Sequence, residues 1–309
     1  MILCCGEALI DMLPSSDMLG RKAYVPVTGG AALNTAIALG RLGTPVGLFT
    51  GLSSDPFGQM IISVAADEGV DTAPSAIRAL PTTLAFVHLL DGRASYSFHD
   101  ENSAGRMLAV SDIPDTSAAC YLFGGISLAA EPCGAVYEAF QARASESSLT
   151  MLDLNIRPAL INDEAAYRAR LDRMITRADI VKISDEDLDW LVGPGDMADQ
   201  AQKLLDMGPK LVLLTMDSRG ARGFGRCGTR VSVAALHVPH VVDTVGAGDT
   251  FNAGTLAALY DAGLLTKDAI ATLSAEDLHA AMLQGTRAAG YCVAQAGANG
   301  PTRAQLCAL

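Results

Sequence analysis

Basic residues are scarce in this chain. Only 22 Lys and Arg stand against 34 Asp and Glu, a net charge of −12. No Lys/Arg cluster is available to offset phosphates, which argues against a nucleic-acid partner. Charge of this size serves solubility and says nothing about fold, but an anionic substrate would need a local pocket of positive charge. Aromatics make up only 5% of residues against 50% hydrophobics, so Ala, Leu, Val and Ile must build most of the core. No apolar run approaches the roughly 20 residues of a membrane-spanning helix, so no membrane partner is expected. Cys4, Cys5, Cys120, Cys133, Cys227, Cys292 and Cys307 are odd in number and form no C-x-x-C pair. They are expected to be reduced and buried, neither disulfides nor a metal site. Glu7 and Asp11 interrupt what would otherwise be an apolar leader, and the expected location is the cytoplasm. Low-complexity tracts, charge blocks and fixed-period repeats are absent too. With short connections throughout, the expectation is one α/β domain over residues 1–309.

What the chain does have is organised around Asp243-Thr244-Val245-Gly246-Ala247-Gly248-Asp249-Thr250-Phe251. Gly246 and Gly248 can take backbone angles that residues with a Cβ resist, so successive N–H groups can converge on one point. An apolar helix predicted from Thr250 to Tyr260 would add its unpaired N–H groups and the positive end of its dipole. Asp249 is the anomaly, because a carboxylate beside an anion site repels the anion. Taking a proton from a hydroxyl that attacks phosphorus would give it a purpose. Without further context the stretch is equally a glycine loop opening an ordinary helix, with Asp249 as a helix-start residue.

Ile2 to Met12 reads as one buried strand with Glu7 and Asp11 near its end, where open α/β sheets bind ligands. Gly29-Gly30 precede a helix running to Arg41, and Asn34 one turn on could offer an amide to the same ligand. Pro45 to Thr50 is a second strand, and Pro56 to Glu68 a helix opened by its proline. Thr82–Leu90 and Ala94–His99 form a hairpin about Asp91-Gly92, outside the main sheet, with partner strands from 12–26. Leu149 to Leu154 is a strand ending in Asp153-Leu154-Asn155-Ile156-Arg157-Pro158, and the Arg157 guanidinium matches phosphate oxygens bidentately. The acidic run after Ser184 suits a helix's first turn.

Several of these stretches together resemble the ribokinase-like, pfkB-type family of sugar and nucleoside kinases. D-T-V-G-A-G-D-T-F is similar to its C-terminal motif and G-G-A-A-L-N, running into a helix that ends R-L-G, to its N-terminal one. G-E-A-L-I-D and D-L-N-I-R-P resemble the fructokinase branch, the latter also the 2-keto-3-deoxygluconate kinase branch. The resemblance implies a ribokinase-like three-layer α/β/α sandwich with a mostly parallel central sheet. It also implies a small β lid over about 12–26 and 82–100 that often serves as a homodimer interface. ATP and Mg²⁺ are implied, with a sugar as acceptor. Asp249 would be the general base, Gly246, Ala247 and Gly248 the anion hole, and Arg157 a phosphoryl ligand. Asp11, Gly29, Gly30, Asn34 and Asn155 would hold the sugar, and Lys182, Thr215, Gly220 and Thr286 the nucleotide. Asp187 would reach the metal through water, and Asp243 would hold a monovalent cation such as K⁺.

Departures from the family pattern are local. Ser184 and Asp187 replace the Asn and Glu of its N-x-x-E motif, and Asp217 replaces a glycine of its phosphate loop. Asp100 stands where both branches often have an arginine, so Asp100 and Glu101 are expected to repel an acidic sugar and favour fructose. The alternatives are a 2-keto-3-deoxygluconate kinase, another sugar or nucleoside kinase of the family, and an inactive sugar-binding regulator. A dinucleotide-dependent oxidoreductase would need G-x-G-x-x-G directly after its first strand, and the chain has none there.

Overall fold

A computed structural model describes residues 1–90 and 93–309, and the side chains of 1–87 and 97–309. Its first strands are β1 (Ile2–Cys5), β2 (Leu9–Ser16), β3 (Lys22–Gly29), β4 (Val46–Phe49) and β5 (Gly51–Ser53). Then come β6 (Val70–Asp71), β7 (Ala76–Arg78), β8 (Leu84–Leu90), β9 (Arg93–His99) and β10 (Cys120–Gly124). The last five are β11 (Leu149–Asp153), β12 (Ile180–Ser184), β13 (Leu211–Thr215), β14 (Ala221–Gly225) and β15 (Arg230–Val233). Between them run helices α1 (Ala31–Arg41), α2 (Pro56–Asp67), α3 (Cys133–Ala144), α4 (Glu164–Arg177) and α5 (Asp185–Val192). They are followed by α6 (Met197–Met207), α7 (Ala247–Asp261), α8 (Lys267–Ala271), α9 (Ala275–Val293) and α10 (Arg303–Cys307).

Nine strands form the main sheet in the order β15-β14-β13-β12-β11-β10-β1-β4-β6. Pairing is parallel from β13 to β6, whereas β14 pairs antiparallel with both β13 and the edge strand β15. Side chains alternate across it: Ile2 and Cys4 join a core with α1, α7 and α9, while Leu3 and Cys5 join one with α3, α4 and α6. Helices on both faces make three layers, as expected, and explain why these strands read as unbroken apolar runs.

A second sheet has the order β3-β2-β8-β9. β2 pairs antiparallel with β3 and, through Ile10, Asp11 and Met12, parallel with β8, so of the expected partner residues 12–26 only Met12 pairs with the hairpin directly. Hairpin pairing runs to Leu90 opposite Arg93; Asp91 and Gly92, where the turn is expected, lie outside the described residues.

Two expectations need correction. Ile2–Met12 is not one strand: the chain leaves the main sheet after Cys5 and enters the second sheet at Leu9. Glu7 fixes the break, since its carboxylate accepts the Ala31 N–H at 3.3 Å and the Ser127 N–H at 3.2 Å. Leu9 and Ile10 are buried beyond it, so hydropathy carries no sign of the switch. All seven cysteines are free, but Cys227 and Cys307 are exposed, one in the turn between β14 and β15 and the other in α10. Among the described residues, no helix is long and apolar enough to cross a membrane.

Candidate active site

The start of α7 is set by Gly246, whose φ of 76° and ψ of 1° lie in the left-handed region. A Cβ there would sit 2.4 Å from that of Ala298, so both conformation and space call for glycine. Asp243 secures the loop before it, accepting the N–H groups of Val245 and Gly297 at 3.0 Å each. No side chain caps α7. Ala247 N–H makes a long bond, 3.3 Å, to the Thr244 carbonyl. The helix therefore begins at Ala247, three residues earlier than its apolar pattern suggests.

Asp249 lies in the first turn of α7 and is only 7% exposed. Its carboxylate accepts the Asn34 amide of α1 at 2.9 Å, joining two motifs 215 residues apart. Burial pushes the carboxyl up to about 7, against the Asn34 bond and the Lys182 charge that pull it down; Asp153 adds to the rise. Asn34, expected on the sugar, thus already spends its amide on Asp249. The N-cap of α1 is Gly30, at φ 104° and ψ 135°; a Cβ on it would meet the Glu7 carbonyl at 2.5 Å. Asp11, on β2, packs so closely on Gly29 that a Cβ there would be 2.1 Å from its carboxylate. Burial raises the Asp11 carboxyl to about 6.

A polar network that the sequence reading missed underlies Asp249. Asp153 and Lys182 face each other in register across β11 and β12. Lys182 Nζ lies 3.2 Å from both Asp153 oxygens, and Asn252 of α7 donates to one of them at 2.6 Å. Asp153, Asp249, Asn252, Thr35, Gly124 and Gly125 border one cavity. The available signal was spacing: Asn252 is three residues after Asp249 and shares its helix face. Lys182, expected on the nucleotide, is 6% exposed and committed to Asp153.

Other site residues are more peripheral. Asn155 is half-buried with φ of 38°. Arg157 is exposed and donates to the Ile156 carbonyl at 2.9 Å; among the described residues it makes no hydrogen bond or ion pair with Asp249 or Asn34. Ser184 caps α5 by accepting the Asp187 N–H at 3.1 Å, and the Asp187 carboxylate accepts the Ile156 N–H at 3.3 Å. Burial raises the Asp187 carboxyl. After Thr215, Asp217 takes φ of 47°, the left-handed conformation that a glycine would supply, with its side chain exposed. Gly220 follows at φ 87°. Thr286 is buried on α9 with its hydroxyl donating to the Leu283 carbonyl. Asp100 is not an uncompensated charge, because Arg106 pairs with it at 3.1 Å. Repulsion of an acidic sugar by Asp100 therefore does not hold.

Similarities to known proteins cover almost the whole chain. The family model described as pfkB family carbohydrate kinase matches residues 1–305. A fructokinase of Rhizobium leguminosarum bv. trifolii is 49% identical over 280 residues, 90% of this chain and 85% of its own. The crystal structure of a fructokinase with bound ATP from Xylella fastidiosa superposes with a TM-score of 0.91 at 28% identity, covering 99% of this chain and 97% of that one. A Vibrio cholerae O395 fructokinase structure in fructose, ADP and calcium ion bound form gives 0.86 at 27% identity, again over 99% and 97%.

Proposed function

We propose that this chain, which belongs to the pfkB family of carbohydrate kinases, phosphorylates a primary hydroxyl of fructose with ATP. The observation that carries the reading is the Asn34–Asp249 bond, which holds a buried carboxylate at the uncapped start of α7. An ionised Asp249 takes the hydroxyl proton as that oxygen attacks the γ-phosphorus and the bond to ADP breaks. The N–H groups of Ala247, Gly248 and Asp249, reached over Gly246, receive the phosphoryl charge. Asp11, Gly29, Gly30 and Asn155 position the sugar, while Asn34 holds Asp249. Thr215, Gly220 and Thr286 take the nucleotide, and Lys182 adds positive charge close to Gly248. Arg157 is free to reach the phosphoryl oxygens from the rim.

Among the described residues no three metal-ligating side chains cluster. That fits Mg²⁺ arriving on nucleotide phosphates, since this ion keeps its waters and needs only one or two carboxylates. Asp187 would hold it through water, and the bound ion would neutralise charge on the phosphates. Each Asp243 oxygen accepts one amide and keeps a lone pair for a monovalent cation.

The β2-β3-β8-β9 sheet acts as the lid. Leu13, Val25 and Val27 are exposed on one face of it, which suits a homodimer. Seven free thiols suit the cytoplasm. The preference for fructose rests on the relatives rather than on Asp100. ADP release should give a higher kcat/KM for fructose than for 2-keto-3-deoxygluconate, and the reverse order would reassign the substrate.

A further inference from the structure

The Lys182–Asp153 pair is a poor source of stability, since desolvating two charges cancels most of their attraction. Asp153, Lys182 and the Asn252 that donates to Asp153 are only 4%, 6% and 1% exposed. Their placement points to another use. Lys182 Nζ comes within 2.9 Å of where a Cβ would stand on Gly248, so its ammonium lies against the first turn of α7. Asn252 Oδ1 is buried without a hydrogen-bond partner among the described residues, and Asn252 borders the cavity that Asp249 and Asp153 share.

We propose that Asp153, gripped by Lys182 and Asn252, is a positioning residue for Asp249: the pair fixes an ammonium beneath the start of α7 and balances the field at the base. This inference rests on the reading of Asp249 as the base. The groups that face Asp249 are Asn34 from α1, Asp153 from β11, Lys182 from β12 and Glu7 from the β1–β2 connection. Two thiols, Cys4 from β1 and Cys292 from α9, also act on it; burial raises both, so they stay neutral. Among the charged groups that act on it, Asp153 and Glu7 oppose ionisation of Asp249, and Lys182 favours it. Removing either member of the pair must therefore act on Asp249 with opposite sign.

The test is the pH profile of kcat at saturating ATP and fructose. Asp153→Asn leaves the ammonium unopposed, so the acidic limb should move down by about one pH unit, the low end for a nearby charge. Lys182→Met should move it up by about as much. The double variant, neutral at both positions, should return the limb close to wild type while kcat stays reduced, because the ammonium under Gly248 is gone. Limbs that stay fixed while kcat falls, or that move the same way in both single variants, would overturn the inference. If the single variants do not fold, the double variant decides alone, and a displaced limb counts against the proposal. Asp249→Asn separates the two readings. Residual turnover that keeps the wild-type acidic limb would sink the base assignment itself. An inactive Asp249→Asn with unmoved limbs in the pair variants would sink only the positioning role.

Discussion

Two buried aspartates stand at opposite ends of the same sheet, and their surroundings differ in kind. Asp179, where the chain enters β12, is 4% exposed and surrounded by donors. Lys210 reaches it at 3.0 Å, Lys267 at 2.8 Å, and the Thr150 N–H at 2.9 Å. Asp249, at the carboxyl end, is 7% exposed and has one neutral amide from Asn34. A buried charge that is fully compensated is tied into the structure, and removing it leaves its partners stranded. A buried carboxylate with too few donors is held at a cost, and its pKa rises toward the range useful for a general base. The site is marked by this deficit of compensation more than by any residue type.

The largest expected effect separates them by activity. Asp249→Asn keeps the shape of the site and an acceptor for Asn34 but removes the base, and should lower kcat by about 10²–10⁴. ATP binding should be little changed. A variant that kept more than roughly half of wild-type kcat would be incompatible with general-base catalysis of that size.

Asp179→Ala should do the reverse, lowering stability in urea while the folded fraction keeps its kcat. The loss should fall near the lower end of about 3–5 kcal/mol, because both lysine side chains remain 29% exposed and keep part of their hydration. A large fall in kcat in folded Asp179→Ala would erase the contrast.

The comparison also fixes a sign for pH. Asp249 carries a folded pKa of about 7 against an ordinary value of 3.8, so the native state holds the proton more tightly than the unfolded chain does. Its favourable contribution is complete below the ordinary value and is lost as pH rises through about 7. Asp249→Asn should therefore gain on wild type by up to about 1.4 kcal/mol for each pH unit in that window. Activity runs the other way, because the ionised form works and is lost as pH falls. Parallel urea curves for the two proteins from acid to neutral pH would test this; an unchanging gap would mean that Asp249 is not held protonated.

Much of this was legible in the chain because the chemistry is local. Gly246 to Asp249 and Gly29 to Asn34 each declare a backbone conformation and a helix start within a few residues. Bonds that depend on how the elements meet were out of reach. Asn34 and Asp249 come together only because α1 and α7 pack on one face of the sheet. Asp153 meets Lys182 through the register of two parallel strands joined by a long crossover. The break at Glu7 was invisible for a different reason. Both sheets bury the residues on either side of it, so the apolar pattern runs straight through.

The smallest effect tests redundancy at Asp179. Lys267→Met removes one of its two ammoniums, yet Lys210 at 3.0 Å and the Thr150 N–H at 2.9 Å remain. A partly exposed ion pair is worth about 1 kcal/mol or less when the carboxylate is not left alone. The methionine keeps most of the lysine stem's packing, so the urea midpoint should shift only slightly. A loss as large as that of Asp179→Ala would mean that Lys267 alone compensates the charge. Asp179 would then resemble Asp249 in depending on a single partner, and compensation would no longer tell the two ends of the sheet apart.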